Sequence, residues 1–183
     1  MSFARHTLAA ALLTIASVAA PVVQARSAAE ITAQGRHSLH QLETREPVSR
    51  FYAKHAVAVL VFPSIFKAGL LVGGESGNGV LFINGRQAGF YNLSGGTFGF
   101  QAGAEKFSYA VFFMNESALR YLRKSGGFAA GTGPSIAIIN KGIGAEANTT
   151  TIVKDVYAMP FNQSGLMADL TLQGTKISVI HPR

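Results

Sequence analysis

The chain contains no cysteine and no tryptophan, and only 14% of its residues are charged. Without cysteine there can be no disulfide, no thiolate metal site, no cysteine nucleophile and no acylated lipoprotein cysteine, so stability has to come from a packed core. Catalytic signatures are missing as well. The sequence has no Gly-x-Ser-x-Gly elbow, no Walker loop, no Gly-x-Gly-x-x-Gly and no His-Glu-x-x-His, which points away from an enzyme and leaves no cofactor to expect. Beyond residue 25 no apolar run approaches the roughly 20 residues that cross a bilayer as a helix. What is present is a 48% hydrophobic chain with 13 phenylalanines and 20 glycines, too apolar and too lightly charged for a disordered protein.

The N-terminus reads as a leader. Arg5 and His6 precede an apolar run from Leu8 to Ala20, and Val23-Gln24-Ala25 supplies a small-residue cleavage pattern before Arg26. This order predicts a secretory signal peptide over 1–25 and a periplasmic or secreted protein. The remaining residues suit one domain, with a helical segment at 26–54 leading a β-rich core at 55–183. The formal charge is +7, and it falls to about +6 without the leader. That sign favours anionic lipid or an acidic protein as partner. Export leaves nucleic acid out of reach.

From Ser27 to Arg45 the residues Ala28, Ile31, Leu39 and Leu42 fall on one stripe at helical spacing, which predicts an amphipathic helix. Pro47 suits the first turn of a second helix in which Val48, Phe51 and Tyr52 share a face. After Lys54 the texture changes to short β-branched and aromatic runs broken by glycine, asparagine and serine. Strands are expected near 57–62, 68–75, 79–83, 87–92, 97–103 and 106–114, with tight turns at Asn78-Gly79 and Asn84-Gly85. Asn115 is a candidate N-cap for a helix ending near Ser125 at Gly126-Gly127. Further strands are expected at 135–139, 145–152, 154–161 and 169–180. Glycines inside apparent strands, at 69, 73, 74, 89, 99 and 103, call for a sharply bent sheet. The fold class is therefore α+β: a curled, mainly antiparallel sheet or small barrel, an N-terminal amphipathic helix and one or two further short helices.

Three ordered blocks carry a family likeness. They are Val59-Leu60-Val61-Phe62-Pro63-Ser64-Ile65-Phe66-Lys67-Ala68-Gly69 with Gly73-Gly74-Glu75-Ser76-Gly77-Asn78-Gly79; Tyr91-Asn92 with Ser94-Gly95-Gly96 and Phe98 to Glu105; and Gly165-Leu166-Met167-Ala168 with Leu172 to Ile177. Together they resemble the SYLF (Ysc84-type) domain over roughly residues 50–180. The resemblance implies a non-enzymatic module that binds membrane lipid, with phosphoinositide-like head groups, or else a protein partner as actin-binding relatives do.

Four cations are the candidate lipid-binding residues: Arg36, Arg50 and Lys54 ahead of the core, and Lys67 in its first block. Each cation near an anionic bilayer contributes on the order of 1 kcal/mol, so four would suffice for reversible capture at a membrane surface. Phe62, Ile65 and Phe66, broken by Pro63 and Ser64, present either core residues or an apolar loop that dips into the interface. Arg120, Arg123 and Lys124 form a second cluster, already explained by the C-terminal end of a helix. His37, His40 and Glu43 lie three apart on the first helix, but no second cluster completes a four-ligand metal site. Glu75, Glu105 and Asp169 lie inside the family blocks, and a paired-carboxylate site would need two of them to converge.

Overall fold

The structure, a computed structural model, describes residues 26–124, 128–129, 133–139, 152–165 and 175–183. The leader therefore lies outside the described residues. So do the helix stop at Gly126-Gly127, all but the last residue of the strand expected at 145–152 and the first part of the one expected at 169–180.

Helix α1 spans Ala28–Arg45. Its start is fixed by a capping box: the Ser27 hydroxyl accepts from the Glu30 N–H at 3.2 Å, and the Glu30 carboxylate accepts from the Ser27 N–H at 2.9 Å. Two of the helix's orphan donors are thereby satisfied. Its buried face runs through Ile31, Gly35, Ser38 and Leu42. Pro47 opens α2, Pro47–His55, giving the kinked pair that the sequence implies. α2 buries Tyr52, whose ring lies 4.6 Å from that of Tyr157 and 6.0 Å from that of Phe112.

In place of the six short strands expected before residue 114, two very long ones form: β1, Ala58–Ile83, and β2, Arg86–Phe113. They pair antiparallel along their whole length, from Ala58 opposite Phe113 to Ile83 opposite Arg86. Asn84 and Gly85 join them with φ of 50° and 72°, the left-handed pair of a type I′ turn. Asn78-Gly79 is not a turn. It lies within β1, where the Asn78 side-chain oxygen accepts from Asn92 Nδ2 at 2.8 Å. Gly79 is there for space, since a Cβ would sit 2.5 Å from the Phe62 ring and 2.7 Å from the Val61 carbonyl oxygen. The second half of β1 thus folds back against its first half, and register shifts at Phe62/Ile65, Leu70/Val72 and Leu81/Phe82 supply the bends.

β2 organises the rest of the sheet. Its second half pairs antiparallel with β5, Val156–Gly165, and its first half with β6, Thr175–Ile180. A short β3, Phe128–Ala129, extends the sheet beyond β6. β4, Ile136–Ile138, lies parallel to β5, while the other strand pairs described are antiparallel, so the sheet is mainly antiparallel, as expected. Among the described residues the fold is thus three helices and a curled six-stranded sheet, in accord with the α+β reading.

The curl creates two apolar layers. Leu60, Phe62, Ile65, Leu81, Leu93, Phe107 and Val111 fill the inside, closed by Leu119 and Leu122 of α3, Glu116–Lys124. Val59, Val61, Val80, Phe82, Phe112 and Met159 face outward under Ile31, Leu42 and Tyr52 of the first two helices. α3 starts where the sequence places it: Asn115 Oδ1 accepts from the Ala118 N–H at 2.9 Å. Asn115 is held in turn by Asp155, which also accepts from the Ser135 N–H and hydroxyl at 2.9 and 2.8 Å. Those bonds hold the Asp155 carboxyl below its ordinary value.

Candidate binding site

Where α1 and α2 cross the end of the β1–β2 hairpin they leave an open groove of about 550 Å³, a size typical of small-molecule sites. Its apolar lining comes from Leu39 of α1, Ala53 of α2, Ala56 and Val57 after α2, and Phe82 of β1. Exposed Arg36, His40 and Lys54, with half-buried Glu43, complete it. Two full cations against one carboxylate give the groove a positive balance.

Three of the four candidate cations belong to this region. Arg36 is held firmly: its NH1 donates to the Gly85 carbonyl at 3.1 Å, and its guanidinium lies 5.1 Å from the centre of the Phe82 ring. The hairpin turn thereby fixes a cation over an apolar wall. Arg50 Nε donates at 2.7 Å to the carbonyl of Glu43, among the last carbonyls of α1 that have no partner within the helix. Lys54 projects from α2 into solvent at the groove.

Lys67 is elsewhere. It is 4% exposed and stands opposite Glu105 on the inner side of the sheet, so its ammonium does not face outward with the other three. No local pattern signals this, because a lysine between a phenylalanine and an alanine reads as a surface cation. Phe62 and Ile65 are fully buried within β1, which rules out the dipping loop; only Phe66, 56% exposed, keeps an outward apolar surface.

Two of the three acids in the family blocks do converge. Glu75 and Glu105 are buried close enough to Lys67 for both carboxyls to feel its charge and for Glu75 to feel that of Glu105. Asp169 lies outside the described residues. Arg123 of α3 lies near the Tyr91 hydroxyl and opposes the rise that burial gives its pKa. Among the described residues no three histidines, aspartates or glutamates gather as a metal site; of His37, His40 and Glu43, the last two line the groove. No described helix is long and apolar enough to cross a membrane.

A curled sheet that carries an open, apolar groove edged by cations can hold a ligand. Comparison with known families agrees: residues 94–181 match the Ysc84 family, described as "Las17-binding protein actin regulator". Residues 94–181 thus match the family that the motifs resemble, and its description supports a binding module in that general sense. The match begins within β2, so the first block and the helical groove precede it. No curated protein matches the chain.

Proposed function

We propose that the protein associates reversibly with anionic membrane lipid, using the groove between α1, α2 and the β1–β2 turn. The observation that supports this most directly is the pairing of an apolar lining with Arg36 and Lys54 beside it. Cations draw the protein to the surface, each adding about 1 kcal/mol, and the half-buried Leu39 and Val57 surfaces then make shallow apolar contact. Arg50 adds charge nearby while it caps α1. An exported chain would meet such lipid in the cell envelope, and that location is part of the proposal.

The test is co-sedimentation of residues 26–183 with vesicles of phosphatidylcholine alone or mixed with phosphatidylglycerol, across a salt series. Binding to the anionic vesicles only, fading as salt rises, is the expected result. No binding at low salt would sink the reading. The family description favours a second one, a module for a protein partner, whose mark is capture that persists in high salt and needs no lipid.

A further inference from the structure

The inner side of the sheet carries a group of charges that the groove does not use. Lys67 and Glu75 come from β1, and Glu105 and Tyr109 from β2. Glu75 is 8% exposed and Glu105 2%, and the register sets Lys67 directly opposite Glu105. Among the described residues one buried ammonium therefore serves two buried carboxylates. Glu105 Oε2 and the Tyr109 hydroxyl are both buried without a hydrogen-bond partner. The basic residues at neighbouring strand positions, Lys106 and Lys176, are exposed, so among the described residues the inner balance is one positive to two negative groups.

Two carboxylates that share one cation away from water do not both ionise readily, because the second charge meets desolvation and like-charge repulsion together. We propose that this cluster is a proton-binding site: the Glu75–Glu105 pair retains one proton in the folded protein, and losing it loosens the sheet where β1 curls over β2. Burial raises the Glu75 carboxyl above its ordinary value, with Lys67 opposing and Glu105 adding to the rise. Burial likewise raises Glu105 against the pull of Lys67. The neighbouring negative charge also adds to burial in keeping Tyr109 protonated.

The sign follows from linkage. A carboxyl whose folded value lies above its unfolded value contributes stability that is complete below the unfolded value and is lost as pH rises through the folded one. The cluster therefore tightens the fold on mild acidification, opposite to the acid sensitivity expected of a paired surface carboxylate.

The decisive experiment is a carboxyl-carbon NMR titration of the folded protein, with the same glutamates in the urea-unfolded chain as reference and amide hydrogen exchange followed over residues 67–75. At least one of Glu75 and Glu105 should titrate above its unfolded midpoint. After correction for intrinsic base catalysis, the amides should exchange faster across that same pH range. Glu105→Gln should lower the Glu75 midpoint, and Lys67→Met should raise it. The proposal is overturned if both glutamates titrate at or below their unfolded midpoints, or if they titrate with no change in exchange. Because the unsubstituted protein supplies the main readout, a variant that fails to fold leaves the answer intact.

Discussion

Replacing Gly79 with alanine tests the curl itself. The added Cβ would lie 2.5 Å from the Phe62 ring and 2.7 Å from the Val61 carbonyl oxygen, so backbone as well as side chain must move. Overpacking of this kind costs typically 1–3 kcal/mol, and the backbone contact puts Gly79→Ala near the upper end, about 3 kcal/mol. Gly74, five residues earlier in the same strand, is the control. A Cβ there meets only the Gly95 carbonyl oxygen at 3.6 Å, ordinary van der Waals contact. Restricting the unfolded chain should make Gly74→Ala neutral or stabilising by about 0.5 kcal/mol. For a domain of this size 3 kcal/mol corresponds to roughly 10 °C in melting temperature, readable by circular dichroism and checked by urea unfolding. Equal effects from the two substitutions would refute the close approach of the two halves of β1.

Other perturbations report on separate parts. Lys54→Glu should weaken vesicle binding several-fold with little change in melting temperature, whereas Arg120→Glu on α3 should leave binding intact; co-sedimentation decides between them. Charge reversal of Arg36 is less clean, since it also removes the bond to Gly85 and the contact with Phe82, and a loss of about 1–2 kcal/mol by urea unfolding is expected. Asp155→Ala should cost about 1–2 kcal/mol through the Asn115 cap and the Ser135 bonds. Because the Asp155 value is lowered, its contribution is present above the ordinary aspartate value and disappears as pH falls through the folded one; in Asp155→Ala that part of the acid-side melting curve should flatten. Ser27→Ala removes half of the capping box and should lower stability by about 1 kcal/mol.

Much of the local structure was legible because it rests on near neighbours in sequence. The α1 stripe, Pro47 at the head of α2, the Asn84-Gly85 turn and the Asn115 cap are each decided within a few residues, and all four stand. Asn78-Gly79 misled for the same reason: its residue types satisfy a type I′ turn, yet the close passage of Val61 and Phe62 gives this glycine another purpose. The strand glycines signalled bending correctly, but bulges let the chain bend without ending the strand, so six expected strands became two.

The sequence by itself determined the elements, the apolar content, the basic balance and the family blocks, since these depend on local propensity and on composition. Only the tertiary structure decided which charges meet. Arg36 and Lys54 come together at one groove because two helices cross one hairpin. Lys67 is drawn instead to Glu105 and Glu75, since strand alternation and the curl turn all three to the same closed side. Long-range register sets that outcome, and no short stretch of sequence contains it.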